Sequence, residues 1–364
     1  MSVFPERLYA AALASLPFLG HRSIRTLVAH FGSAEAVWKQ PADTLQQAVP
    51  LSEKAYRSLQ RYRSDYDWDR QLQQLSRHQT KLISLWDEDY PPALKLTYNP
   101  PVVLYYQGVL QDMTKSAAVV GARKATPYGR NVTQTLAENM AMHDIAVISG
   151  GARGIDAKAH TGALAQSGYT VAVVANGLDI CYPPEHKSLF QEIVEKGGAV
   201  VSEYTFGMKP LAINFPARNR IIAGLGRCVV IVEAALRSGS LITADFALEE
   251  GRDVFSIPGS VYSEQSRGTN ALLRKGAIPL TGIDDLLEEY GWNRSPAKKA
   301  PPKMMNLTLL ETTVLDCLTC DEGRSREDIT LQTQLLPAQI APLLLRLQLL
   351  GLIEELPGSL YIKR

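Results

Sequence analysis

Two stretches of this chain concentrate positive charge with no acid to balance it. Residues 113–137 hold Lys115, Arg123, Lys124 and Arg130, and residues 208–232 hold Lys209, Arg218, Arg220 and Arg227. In a chain of 364 residues with a formal net charge of +1, such segregation points to a polyanion surface that total charge alone would not reveal. The second stretch contains NFPARNRIIAGL, where Phe215, Arg218, Asn219 and Arg220 lead into an apolar run. Arginine opposes the positive end of a helix dipole. These guanidinium groups therefore either find carboxylates or solvent, or join the helix end in addressing one external anion. An aromatic ring beside two guanidinium groups suits single-stranded nucleic acid, whose bases stack on rings while its backbone follows positive charge. The same ring would serve equally as an apolar staple at a helix entrance.

Glycines supply the other half of an anion site. SGGARGID places Ser149, Gly150, Gly151 and Arg153 ahead of one helix, and RSGSLIT places Ser238, Gly239, Ser240 and Thr243 at the start of another. Bare amides at such turns can cradle phosphate. Neither GxxxxGK[ST] nor a GxGxxG after the first core strand is present, which disfavours nucleotide binding in its standard forms. Several nests suit a run of phosphates better than a single one. A hydrolase would instead need a poised carboxylate, and Asp156, Asp179, Glu203 and Glu233 stand at strand ends. Each also has a structural use: Asp156 in capping its helix, Asp179 in closing its turn, Glu203 and Glu233 in orienting arginines. His160 reads as a packing residue. The lone CxxC of Cys317 and Cys320 lacks a second pair. No catalytic residue, metal or cofactor is expected.

The elements that must position these loops follow from periodicity. Between 80 and 292, the apolar runs SAAVVGA, IAVISGG, TVAVVANG, GAVVSEY, CVVIVEA and DVFSIPG alternate with helical patterns. Strands apolar on both faces and separated by helices predict an α/β, doubly wound, Rossmann-like parallel sheet. Ligands of such sheets bind at the carboxyl ends of the strands, where all the loops above fall. Residues 1–79 predict an N-terminal helical module of helix-hairpin-helix or SAM-like type. Its ten bases against seven acids leave open either backbone contact to nucleic acid around Gly20 or simple packing on its neighbour. Residues 293–306, rich in Pro, Lys and Ala, read as a linker. Residues 307–364 predict three helices and a terminal hairpin, a winged-helix domain. Its eight acids against five bases argue against a grip on DNA phosphates.

GARKATPYG, SGGARGIDAKAH, NGLDICYPPEH, SEYTFG, NFPARNRIIAGL, EAALRSGSLITADFALEEGRDVFSIPGS and RGTNALLRKGAIPL, in this order, resemble the DNA-processing protein A family (DprA/Smf). The resemblance covers most of 80–290. It implies a Rossmann-like core that binds single-stranded DNA, forms homodimers and helps load the RecA recombinase in natural transformation. Carried over by position, it implies DNA contacts from Arg123, Lys124, Ser149, Gly150, Gly151, Arg153, Phe215, Arg218, Asn219, Arg220, Ser238, Gly239, Ser240, Thr243, Asn270 and Lys275. Ala122 stands where the family often has serine, which removes one hydroxyl from that set.

Two rival classes remain. SGSLITADFALEE is similar to the Gly-rich turn of Rossmann-fold phosphoribohydrolases, which would make the protein a nucleotide-processing enzyme. A protein-interaction scaffold built around the winged helix is the third. The apolar fraction of 46% and the four cysteines fit a soluble protein of the reducing cytoplasm. The N-terminus lacks a basic n-region and no segment is long enough to span a bilayer, so neither a signal peptide nor a membrane partner is expected.

Overall fold

The computed structural model describes residues 5–292, 307–319, 322–356 and 358–363. The predicted linker and Cys320 lie outside the described residues. Nine strands form one sheet: β1 (Lys81–Ser84), β2 (Val103–Gly108), β3 (Ser116–Val120), β4 (Ala146–Ser149), β5 (Thr170–Val173), β6 (Ala199–Ser202), β7 (Cys228–Ile231), β8 (Asp253–Ser256) and β9 (Ile278–Pro279). Their order is β1-β2-β6-β5-β4-β3-β7-β8-β9. From β6 to β9 all pairings are parallel, and only β2 on β6 and β1 on β2 run antiparallel. The chain leaves β3 towards β4 on one side and later returns to β7 on the other. This reversal opens a crevice above the carboxyl ends of β3 and β7.

The N-terminal residues form α1 (Glu6–Ser15), α2 (His21–Phe31), α3 (Ala34–Lys39), α4 (Ala42–Ala48), α5 (Glu53–Tyr62) and α6 (Trp68–Arg77). Short α7 (Pro92–Lys95) joins β1 to β2. The sheet is then covered by α8 (Pro127–Met142), α9 (Ile155–Ala165), α10 (Lys187–Glu195), α11 (Asn214–Leu225), α12 (Gly239–Glu249), α13 (Arg267–Arg274) and α14 (Ile283–Glu289). Alternate residues along each strand divide between the two faces, as the pleat requires. Ala118, Val120, Ile148, Val171, Val229 and Ile231 pack under α11 and α12, through Ile221, Ile222, Ala244 and Ala247. Ala117, Val119, Val147 and Val230 pack under α8 and α9, through Leu136, Met140 and Ala159. Both faces are therefore dry, and the core strands read as continuous apolar runs for that reason.

The C-terminal elements are α15 (Leu309–Asp316), α16 (Arg326–Thr333), α17 (Pro337–Leu349), β10 (Ile353–Leu356) and β11 (Leu360–Lys363). The antiparallel β10–β11 hairpin closes over Val314, Ile329, Leu344 and Leu347, giving the three helices and wing of a winged-helix domain.

The helical N-terminal region uses the antiparallel edge of the sheet as its floor. Leu8, Leu13, Ile24, Leu27 and Leu45 share one apolar cluster with Leu82, Val102, Val103 and Tyr105. Trp38 meets Tyr66 and Trp68 edge-on, each at 5.2 Å between ring centroids, and these rings staple α3 to α6. The Gly20 turn is docked onto the core. His21 Nδ1 accepts the Val102 amide at 3.3 Å, so Nε2 carries the ring hydrogen and donates it to the Glu203 carboxylate at 3.0 Å. Arg220 donates to the same carboxylate from the other side.

Burial alone would raise Glu203. The His21 hydrogen bond and the Arg220 charge overcome it and hold the carboxyl below its ordinary value. A carboxylate depressed in the folded state stabilises above its unfolded pKa, and that contribution is lost as pH falls through the folded value. Glu203→Gln is expected to cost about 3 kcal/mol at neutral pH, because it strands the Arg220 charge. In urea unfolding, the gap between wild type and variant should close as pH falls below the ordinary carboxylate range. A gap that stays constant with pH would refute this account of the docking contact.

Candidate nucleic-acid interface

The β3/β7 crevice is a cleft of about 700 Å³. Its walls come from the β3–α8 loop, the N-terminal turns of α11 and α12, and the loop after β7. Arg123 and Lys124 are exposed on the first wall, and the Arg123 guanidinium lies 5.1 Å from the centroid of Phe215. Tyr182 stands against the same ring at 5.7 Å between centroids. The opposite wall carries exposed Arg237, open Gly239 and Thr243, which is 1% exposed yet lines the cleft. Among the described residues, neither Lys124 nor Arg237 makes an ion pair. The β3–α8 loop is tied down by Glu233, whose carboxylate accepts both the amide and the hydroxyl of Thr126.

Ser238 caps α12, its hydroxyl accepting the Ser240 amide at 3.3 Å and meeting the Ser240 hydroxyl at 2.7 Å. A methyl group on Gly239 would meet nothing within 4 Å, so the helix end is open to the cleft. Asn219 links α11 to α12: its Nδ2 donates to the Gly239 carbonyl at 3.2 Å, and its Oδ1 accepts Arg218 Nε at 3.3 Å. The amide is thus spent on holding the loops.

At the floor of the cleft the SGGARGID turn departs from the predicted phosphate cradle. The Asp156 carboxylate, 6% exposed, accepts the Ala152 amide at 3.3 Å and is also bonded by the Gly150 amide. The nest is thus occupied by the chain's own anion. Asp156 does not cap α9; it folds back over the turn that precedes the helix. Burial raises its pKa, and the Arg218 charge beside it works in the opposite direction. Arg218 is itself 4% exposed and donates to the carbonyls of Gly150 (2.6 Å) and Val173. Burial draws its pKa down to about 10, against the pull of Asp156. Gly154 makes the turn fit: at φ +77° it would bring a Cβ within 2.3 Å of the Ala122 carbonyl, so the two loops meet backbone to backbone.

Of the sequence-predicted residues, the fold gathers Arg123, Lys124, Phe215, Asn219, Ser238, Gly239, Ser240 and Thr243 around the cleft. Arg153, half exposed and paired with Glu185, lines a narrow recess next to it with Gly150 and Gly151. Others are corrected. Ser149 is fully buried and donates to the Val119 carbonyl at 2.6 Å. Arg218 is a buried tie between strand ends, although it also borders the cleft floor. Arg220 points at Glu203 and is not among the cleft's walls. Asn270 clasps Gly259, accepting its amide at 3.3 Å and donating to its carbonyl at 3.0 Å, so both ends of its amide are engaged. Lys275 is exposed just before β9, on the side of the sheet where strands begin, away from the cleft. Sequence reasoning passed over Tyr182 and Arg237. Arg237 lies just beyond Glu233, the acid that ends the second basic stretch, and a search for acid-free windows stops short of it.

Residues 81–291 match the family model described as DNA recombination-mediator protein A, and residues 297–359 match that of the DprA winged helix domain. The chain is 35% identical over 340 residues to Protein Smf of Escherichia coli K12, covering 89% of this chain and 86% of the relative. The solved structure of DNA processing protein A from Streptococcus pneumoniae superposes with a TM-score of 0.68 at 34% identity, covering 79% of this chain and 99% of that one. That of DNA processing protein A from Helicobacter pylori, described as revealing a unique single-stranded DNA binding mode, gives 0.53 at 32%, covering 58% and 95%.

The Asp156–Arg218 arrangement makes a stability prediction that a surface arginine would not. Arg218→Ala is expected to lose about 3 kcal/mol, since it leaves a buried carboxylate without its counter-charge. Adding Asp156→Asn should recover part of that loss in a double-mutant cycle. Strictly additive losses would show that the two groups are not coupled.

Proposed function

The chain belongs to the DNA recombination-mediator protein A (DprA/Smf) family, and on that basis we propose that its strand-end cleft holds the backbone of single-stranded DNA. The observation that carries this reading is the convergence of Arg123 on Phe215, opposite Arg237 and the open N-terminus of α12. Cations and amides there meet phosphates, while Phe215 and Tyr182 offer faces for bases. Arg123, Lys124, Arg153, Phe215, Ser238, Gly239, Ser240, Thr243 and Arg237 are the contact residues on this reading, with Asn219 and Arg218 holding the loops that present them. The protein then acts in DNA recombination and transformation, protecting the strand, acting as a cytoplasmic homodimer and passing the strand to the RecA recombinase. Among the described residues, no helix is long and apolar enough to cross a membrane.

The protein runs no chemistry of its own on this proposal. The four strand-end carboxylates that a hydrolase would recruit are already engaged: Asp156 by its own turn, Glu203 by His21 and Arg220, and Glu233 by Thr126. Asp179 accepts the Gly207 amide at 2.9 Å. Against the pull of burial, the His21 hydrogen bond and the Arg220 charge hold Glu203 below its ordinary value, which makes it a poor proton acceptor.

Fluorescence anisotropy with single- and double-stranded oligomers over a salt series tests the reading. Log affinity for single strands should fall with log salt by about 0.7 per phosphate neutralised. Arg123→Ala should flatten that slope by about one phosphate's worth, and Phe215→Ala should weaken binding roughly tenfold with the slope unchanged. Arg220→Ala should leave the slope alone. Salt-independent binding, or an unchanged slope in Arg123→Ala, would sink the placement. Cleavage of a nucleoside monophosphate by the purified protein would favour the enzyme reading.

A further inference from the structure

One cluster at the rim of the cleft is not used by the reading above. The loop after β8, residues 257–266, carries Tyr262 at 96% exposure and Val261 at 77%. Leu236, 53% exposed, stands on the neighbouring loop after β7, next to Arg237. Apolar side chains scattered singly over a surface need no explanation. These three fall on two adjacent loops at one end of a cation-lined cleft.

The loop that carries Tyr262 is held at both ends. Gln265, a wall residue of the cleft, accepts the Ala234 amide through its carbonyl at 2.7 Å, and the Ala234 carbonyl accepts the Gly268 amide at 2.7 Å. Asn270 clasps Gly259 at the other end. Within the loop, the Ser260 hydroxyl accepts the Tyr262 amide at 3.3 Å and the Ser260 carbonyl accepts Ser263 at 3.1 Å. A ring exposed on a pinned backbone loses little freedom when something stacks on it, which favours binding there. The charged residues of these two loops and of the helix start that follows are Arg237 and Arg267, both exposed, and Glu264, the acid of Tyr262's own loop. Parallel strands lie about 4.8 Å apart, so β8 stands about 10 Å from β3, a displacement a polynucleotide spans in one or two residues.

We propose that Tyr262, flanked by Val261 and Leu236, is a second base-stacking platform for a single-stranded polynucleotide that leaves the cleft past Arg237. The proposal rests on the reading of the cleft given above. Phe215 then sets one base at the β3 wall and Tyr262 another beyond the β7 wall, with the α12 N-terminus and Arg237 against the phosphates between them. The chemistry recognised is the face of any base, so the platform adds affinity with strand length and little sequence preference.

Anisotropy with two oligothymidylates, of about five and about twenty nucleotides, and an abasic strand of the longer length tests this. Tyr262→Ala should weaken the long oligomer roughly tenfold. It should leave the short one and the abasic strand unchanged, and Tyr262→Phe should restore wild-type affinity. Phe215→Ala should weaken both thymidylates. If Phe215→Ala weakens binding while Tyr262→Ala changes neither oligomer, the second platform is wrong and the cleft reading stands. If neither variant matters, the cleft reading falls with it. A Tyr262→Ala protein that binds DNA normally but sediments as a different oligomer would reassign the patch to a protein contact and overturn the proposal.

Discussion

A carboxylate and a guanidinium, both buried beneath the strand ends, set the terms for everything above them. Asp156 fills the amide nest of the β4–α9 turn, and Arg218 ties the Gly150 and Val173 carbonyls across two strand ends. Removing two charges from water costs several kcal/mol each, and their mutual attraction offsets that only when the remaining donors and acceptors are satisfied. Here they are satisfied largely by backbone. The loops at the top of β4 and β5 are thereby tied to one another, and the turn that looks most like a phosphate cradle is filled by the chain's own carboxylate. On the proposed reading, an external anion is held one strand over, in the gap between β3 and β7.

That gap is a product of topology. Loops leaving β3 and β7 in opposite directions cannot close over each other, so side chains from α11 and α12 line the space between. Glu233 secures one wall by capturing Thr126, and Asn219 secures the other by bridging to Gly239. Each polar residue that sequence alone offers as a ligand contact is thereby sorted. Those bonded to backbone build the walls; Lys124, which makes no ion pair among the described residues, faces the solvent a ligand would displace, as does Arg237 on the opposite wall. The N-terminal helices take a similar part at a distance, since the His21–Glu203–Arg220 contact locks them to the sheet next to α11.

Much of this is legible in the sequence itself. Runs such as SAAVV and CVVI are apolar on both faces and admit a covered parallel sheet with few rivals, and the ligand-bearing loops follow from that sheet's polarity. The cleft members Arg123, Phe215 and Gly239 were found because residue type and strand-end position agree. Arg218 and Arg220 read alike in the sequence and part ways in the fold for one reason. They sit two residues apart on α11, about 200° around the helix from each other, so they meet different neighbours, and a linear window does not register rotation. Their partners, Asp156 and Glu203, lie 62 and 17 residues away in the chain, and only the folded sheet brings them within reach. Asn270 is a similar case: an amide that suits a base edge also suits a backbone peptide, and both its ends are on Gly259.

The same sorting bears on whether the site holds its ligand or transforms it. An enzyme of this architecture needs a group left deliberately unsatisfied, with its pKa displaced towards the working pH and its approach to substrate clear. Glu203 is displaced the other way, held as a carboxylate by two donors. Asp156, raised by burial, borders the cleft, but its carboxylate is taken up by the amides of its own turn beside Arg218. His160 is pushed down to about 3 by burial and bonds Thr170 at 2.7 Å inside the core, so it stays neutral and out of reach of the cleft. What the cleft exposes is fixed positive charge, open amide and aromatic face. These groups gain by staying on their ligand, and a long flexible anion, engaged at several weak points at once, takes most from them.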